Sequence, residues 1–269
     1  YMLLYIKLFS MCFLISGIFS FWLAYKANMK FSQGIGITAF SCIGSIISIL
    51  ILKKVIISSS MIFYFIFITS CVLLFTLLFL IYRFYRDPSR NIPNDENIIV
   101  SPADGRIIYI RKINSGQIPS SIKGRSNMLL SELTKTDILD GETYLIGIMM
   151  TIIDVHVNRA PIAGKVILNK HFPGKFLSLK DKTSITENER NTIVFKADSL
   201  IVGIIQIASK QVRRIVSYID ENDQVRIGQR VGAILFGSQV DVVLPSKSTS
   251  ILVKEGEQVY AGETILAKF

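Results

Sequence analysis

Cysteine is confined to one end of this chain. The three present, Cys12, Cys42 and Cys71, all fall in apolar runs, so the rest has no disulfide framework and no cysteine-based metal spacing. Histidine is nearly as scarce. The two residues, His156 and His171, form no HxH or HExxH arrangement, so a zinc hydrolase using them with Asp154 lacks the usual ligand spacing, and no metal is expected. No dinucleotide fingerprint occurs, and nothing specifies a pyridoxal phosphate site. The net charge is +10, but the basic residues are scattered and no nucleic-acid-binding motif accompanies them, so nucleic acid is not the expected partner. A basic surface of this kind suits the anionic headgroups of a bilayer.

Apolar residues are abundant and concentrated at the front. Half of the chain, 50%, is hydrophobic and the mean hydropathy is +0.46. Three runs, Leu8–Tyr25, Ile35–Leu52 and Val55–Tyr82, each approach the ~20 apolar residues that cross a bilayer. A secretory signal would be one shorter run with a small-residue cleavage site. The pattern predicts a membrane anchor over residues 1–86 with two or three transmembrane helices. Arg83, Arg86 and Arg90 place the end of the third run on the cytoplasmic side, whereas Lys53 and Lys54 argue the other way. The first residue is Tyr rather than Met, which leaves room for residues upstream.

A polar linker over 87–97 separates this anchor from a domain of a different kind. From 98 to 269 the apolar runs are short and β-branched, and Gly, Pro, Asn and Asp punctuate them. Strands are expected at Ile98–Val100, Arg106–Ile110, Thr143–Ile153, Lys165–Leu168, Thr192–Ala197, Leu200–Ala208 and Arg213–Tyr218. More follow at Ala233–Leu235, Val240–Leu244, Ser250–Lys254 and Thr264–Lys268. The polar stretch Ser115–Leu139 reads as an inserted loop. The fold class is therefore N-terminal transmembrane α-helices followed by a mainly β domain.

The run Ile234–Val242, from the end of one of these strands to the start of the next, carries a Gly237-Ser238 pair where a strand should simply continue. Glycine in a strand interior marks a bulge or a close approach of backbone, and here it stands directly before a hydroxyl nucleophile. Upstream lie Ser101-Pro102-Ala103-Asp104-Gly105 and Asp154-Val155-His156-Val157-Asn158-Arg159. Asp87-Pro88-Ser89-Arg90, Pro173-Gly174-Lys175-Phe176 and Asn188-Glu189-Arg190-Asn191 complete the set. In this order, from about residue 83 to the C-terminus, they resemble the phosphatidylserine decarboxylase proenzyme family. The better-known cleavage motif of that family is Leu-Gly-Ser-Thr; here Phe236 and Gln239 flank the pair.

The resemblance implies self-cleavage between Gly237 and Ser238, with Ser238 becoming a pyruvoyl group, the covalent cofactor. That group would decarboxylate phosphatidylserine to phosphatidylethanolamine through a Schiff base. A decarboxylase of this kind needs an electron sink that no ordinary side chain supplies. By the same resemblance His156 is the base and Asp104 orients it, a nucleophile, base and orienter arranged as serine chemistry requires. Asp154 is a second candidate orienter. His171 either touches substrate or stabilises a loop. Arg159, Arg213 and Arg214 are candidates for holding the substrate phosphate, since a cation on the departing carboxylate would stabilise the ground state.

The tail Val253–Ile265 has its own resemblance, to half of a biotinyl/lipoyl-type barrel-sandwich hairpin. It keeps a rival reading open: a non-enzymatic membrane adaptor with a barrel-sandwich domain, although the coiled-coil hairpins usual in such adaptors are absent. Lys254 lacks the tight exposed turn of a swinging-arm carrier. On the enzyme reading the partners are phosphatidylserine in the membrane and the large and small chains cut from one precursor. The location would be the cell (inner) membrane with the catalytic domain cytoplasmic. The oligomeric state stays open, a homo-oligomer included.

Overall fold

The structure, a computed structural model, describes residues 2–26, 29–52, 61–95, 97–114, 117–118, 128–139, 141–175, 177–178, 184–198, 200–209, 215–235 and 238–269. Of Ser238 it describes the backbone. Phe236, Gly237, Arg213 and Arg214 lie outside the described residues, as do Lys53 and Lys54 and much of Ser115–Leu139. The chain divides into two units, one of residues 1–86 with Thr151–Ile153 and one of Asp87–Met150 with Asp154–Phe269.

The first unit contains three helices, α1 (Met2–Lys26), α2 (Phe31–Ile51) and α3 (Met61–Tyr85), each long and apolar enough to cross a membrane. They pack through small residues. The buried side of α2 is Gly34, Thr38, Ser41, Cys42, Gly44 and Ser45, with Ile37 and Ile49. A Cβ on Gly44 would press into the Phe75 ring, so glycine lets α2 and α3 approach closely.

The second unit is mostly β. Its strands are β1 (Ile98–Val100), β2 (Gly105–Ile113), β3 (Gln117–Ile118), β4 (Met128–Leu129), β5 (Thr143–Met150), β6 (Val157–Arg159), β7 (Gly164–Phe172) and β8 (Arg190–Ala197). They continue with β9 (Leu200–Ala208), β10 (Ile215–Ser217), β11 (Gln224–Val225), β12 (Arg230–Ile234), β13 (Ser238–Pro245), β14 (Ser250–Ile251), β15 (Gln258–Val259) and β16 (Ile265–Lys268). Eight form one antiparallel sheet in the order β11-β7-β8-β9-β13-β5-β2-β15, and smaller sheets are β10-β12-β6, β1-β16-β14 and β3-β4. Both faces of the large sheet are covered. Val240, Val242 and Leu244 of β13 join the main core with Val231 and Ile234 of β12. Val243 faces a second core, closed by Leu130, Leu133 and Leu139. The sequence reads Ser115–Leu139 as a loop, but its described part includes a short helix, Leu130–Thr134, whose leucines cover that second face.

Candidate active site

Ser238 opens β13, a central strand of the large sheet. Its register partners are Met150 on β5 and Ala208 on β9. The preceding strand, β12, belongs to another sheet and ends at Ile234. The run Ile234–Val242 is thus divided between two sheets, and in the sequence Gly237-Ser238 stands at the joint. One end of the joint is tied to His156: the Ile234 N–H donates to the His156 carbonyl at 3.1 Å.

His156 stands just ahead of β6. Strict alternation would set it opposite Val155 and Val157, but Asp154, Val155 and His156 are all buried, because this segment is a bend and not a strand. The imidazole Nδ1 lies 2.8 Å from the Asp154 carbonyl oxygen. A carbonyl only accepts, so Nδ1 carries the proton and Nε2 of the neutral ring carries the lone pair. Burial holds the ring neutral, lowering its pKa to about 4 against the opposing pull of the Asp154 carbonyl and charge. Asp154 therefore meets His156 through its backbone, while its carboxylate accepts from Gln258 Nε2 at 3.4 Å.

Asp104 sits in the turn before β2. Gly105 makes this placement possible: its φ is +155° and a Cβ there would collide with the Met149 carbonyl. Both Asp104 oxygens accept from Arg90 Nη2 at 2.8 Å, and Oδ1 also accepts the Ala261 N–H at 2.8 Å. Arg90 reaches Glu263 as well, at 3.2 Å. Burial raises the Asp104 pKa, held back by the Ala261 N–H and Arg90. The turn docks on β6, since the Arg159 N–H donates to the Pro102 carbonyl at 2.9 Å, three residues after His156. Among the described residues no hydrogen bond joins Asp104 to His156.

The remaining candidates scatter. Arg159 is buried and bonded to Asp87 Oδ1 at 2.9 Å, the Gly228 carbonyl at 3.0 Å and the Pro88 carbonyl at 3.3 Å. Those bonds, with Arg230 on the other Asp87 oxygen, tie the segment after α3 to the β domain. His171 is half exposed, 3.5 Å from Glu189. Among the described residues no group of three or more His, Cys, Asp and Glu could hold a metal ion.

Sequence reasoning gave no individual role to the residues that frame Ser238. The Asn188 carboxamide bonds the Leu177 N–H at 2.8 Å, the Leu177 carbonyl at 2.9 Å and the Ala208 carbonyl at 2.8 Å, so it grips the residue opposite Ser238. On the other face of β13, Gln239 Nε2 donates to Tyr109 Oη at 2.8 Å and to Asp241 Oδ1 at 2.7 Å. Buried Arg190 donates to the Leu133 carbonyl at 2.8 Å and to that of Asn188. Burial lowers its pKa to about 10, with the Asp241 charge opposing. The signal for Asn188 and Arg190 was the run Asn188–Asn191, and for Gln239 its place next to Ser238.

Comparison with known proteins identifies the family. The family model described as phosphatidylserine decarboxylase matches residues 77–267. A putative archaetidylserine decarboxylase proenzyme of Methanothermobacter thermautotrophicus is 43% identical over 198 residues, 74% of this chain and 84% of that protein. A protein of the same description from Methanocaldococcus jannaschii is 41% identical over 191 residues, 71% of this chain and 90% of its own length. The phosphatidylserine decarboxylase proenzyme of Erythrobacter litoralis is 41% identical over 186 residues, 69% of this chain and 71% of that protein. With its matched residues spanning every motif from Arg83 to the final strand, this chain belongs to the phosphatidylserine decarboxylase family of carboxy-lyases.

Proposed function

We propose that the chain is a membrane-bound proenzyme that cuts itself between Gly237 and Ser238 and then decarboxylates phosphatidylserine to phosphatidylethanolamine. The supporting observation is the joint between β12 and β13. One end is bonded to the peptide of His156, and the other is clamped between Met150 and Ala208. A bond at such a joint can twist out of sheet geometry without breaking either ladder. The Ser238 hydroxyl adds to the Gly237 carbonyl, and His156 Nε2 takes its proton. The amide becomes an ester. Loss of the Ser238 Cα proton then breaks the Cβ–O bond, leaving Gly237 as a carboxylate and a dehydroalanine at 238. Water displaces its nitrogen as ammonia, which gives the pyruvoyl ketone.

The site suits that group. It would be the first residue of a buried strand, its neighbours Met150 and Ala208 belonging to the apolar core, where water competes poorly. When present it supplies the electron sink for the electrons left by CO₂. His156, neutral above pH ~5 by its lowered pKa, is the proton carrier, and the Asp154 carbonyl fixes its tautomer. Asp104 orients the site through the turn that it and Arg90 hold beside His156. Arg159, Arg213 and Arg214 remain the candidates for the substrate phosphate, and His171 for another contact with substrate. The relatives' names differ in the lipid but share the serine headgroup.

The small chain, 238–269, would stay in place by pairing: β13 lies between β9 and β5, and β16 pairs with β1. The support for a barrel-sandwich character in this C-terminal part is the antiparallel pairing of β14 with β16 around the short strand β15. Three apolar helices fit an enzyme of the cell (inner) membrane, its β domain on the cytoplasmic side where the lipid headgroup is made. The reading is tested by intact mass on the full chain purified in detergent. Two chains are expected, with a new N-terminus at 238 that resists stepwise degradation, and Ser238→Ala should give one uncut chain. A wild-type preparation that decarboxylates phosphatidylserine while remaining one chain would overturn it.

A further inference from the structure

Gln206 is absent from the chemistry above, yet it is completely buried beside the reacting strand. On β9 it stands opposite Val240, one pleat repeat or ~7 Å along from the Ala208–Ser238 pair. A buried carboxamide left without partners is costly, and this one is bonded at both ends. Asn191, its register partner on β8, donates Nδ2 to Gln206 Oε1 at 3.1 Å. Gln206 Nε2 donates to Asn158 Oδ1 at 2.7 Å, and Asn158 Nδ2 donates to the Pro102 carbonyl at 3.4 Å. The three amides point the same way, an arrangement in which each bond polarises the next. Glycine makes the crossing possible: Gly232, across from Asn158 on β12, would with a Cβ come within 3.2 Å of Gln206 Nε2 and press on the Val216 carbonyl.

We propose that Gln206 is a positioning residue for self-cleavage. The chain Asn191–Gln206–Asn158–Pro102 starts in the large sheet that holds Ser238 and crosses to two other segments. Asn158 lies two residues after His156, and Pro102 two residues before Asp104. The register of the strand being cut is thereby transmitted to the base and to the turn beside it through four hydrogen-bonding groups, without Gln206 touching the reacting atoms. This inference rests on the self-cleavage reading.

The test measures the rate of chain cutting in freshly synthesised full-length protein in membranes, by denaturing gel and mass, from pH 6 to pH 8. Gln206→Leu fills the space and removes both bonds, and cutting should slow by at least ~10-fold, the rate equivalent of about 1.4 kcal/mol. Gln206→Glu is the sharper variant. Ionised, it cannot donate to Asn158; protonated, its hydroxyl donates there while its carbonyl still accepts from Asn191. Burial raises a carboxyl's pKa toward neutrality, so Gln206→Glu should cut slowly at pH 8 and recover several-fold by pH 6. Wild type should change little over that range, because His156 stays neutral throughout. Slow cutting that recovers in acid, beside a flat wild-type profile, ties the defect to the Gln206–Asn158 bond and not to lost packing. Wild-type rates in Gln206→Leu, or slow cutting in Gln206→Glu with no recovery in acid, would overturn the proposal. If Gln206→Leu fails to fold, the profile of Gln206→Glu decides alone. A wild-type chain that never cuts defeats the self-cleavage reading itself, an outcome distinct from either variant result.

Discussion

Helix α2 and the β domain satisfy their buried polar groups in opposite ways. In α2 four hydroxyls bond back into their own helix: Thr38 to the Gly34 carbonyl at 2.9 Å, Ser41 to Ile37 at 2.8 Å, Ser45 to Ser41 at 2.7 Å and Ser48 to Gly44 at 2.9 Å. All four bonds close over four residues and exist as soon as the helix does. In the β domain the partners are remote. Gln206 and Asn158 are 48 residues apart, Arg190 and Leu133 57, and Gln239 and Tyr109 130. Those closures form only when the whole sheet has formed. A span such as α2 thus carries polarity cheaply, whereas the sheet around Ser238 depends on cross-strand bonds that fail together.

The contrast can be broken first where it is strongest. His156→Ala should slow self-cleavage by ~10²-fold or more, the usual contribution of a positioned base, as measured by the half-life of the uncut chain. Arg90→Met strands Asp104, which is 2% exposed, without its cation. Removing one partner of a buried pair costs about 3–5 kcal/mol, so the denaturant midpoint should drop sharply. Adding Asp104→Asn should restore much of the loss, since the Ala261 N–H still has an oxygen to bond. Recovery in the double variant separates a stranded charge from lost packing. A smaller effect comes with acid. Folded His156 has its pKa lowered to about 4, below the ~6.5 of an unfolded chain. Between these values the unfolded state binds a proton that the folded state does not, so stability is full above ~6.5 and falls as pH drops toward 4. His156→Gln should flatten the pH dependence of the urea midpoint over that window.

The same contrast explains what could be read from the sequence. Helices α1 to α3 were legible from composition, because a membrane span needs only a long apolar run, and Leu200–Ala208 was legible as a strand from its β-branched residues. The break between Leu235 and Val240 was legible too, but not that the strands on either side of it join different sheets, since pairing partners leave no mark on a single strand. Asp104 and His156 could be named from motifs. What Asp104 touches could not: Arg90 lies in the stretch read as a polar linker, and Ala261 is 157 residues away. The Nδ1 partner of His156 escaped for a different reason. It is a backbone carbonyl, and every residue has one, so no side-chain pattern marks Asp154 for that role. Likewise Asn191, Gln206 and Asn158 look like ordinary polar positions until β8, β9 and β6 are brought together.

The smallest effect expected is also the cleanest check on the local side of the comparison. Ser45 is completely buried, and by that measure alone Ser45→Ala resembles a disruptive core change. Its hydroxyl, however, donates to the Ser41 carbonyl, which in a helix already receives the Ser45 backbone N–H. Deleting the hydroxyl leaves no acceptor unsatisfied and removes a single atom from the interface, so the change should stay within about 0.5 kcal/mol. Asn191→Leu, by contrast, deprives both Asn169 Oδ1 and Gln206 Oε1 of a donor at once, in a strand interior that is equally dry. It should cost about 1–3 kcal/mol for each buried group left unbonded. Thermal denaturation of both variants in the same detergent measures the difference. Equal losses would mean that burial, and not the distance over which a polar group finds its partner, sets how much each unit tolerates.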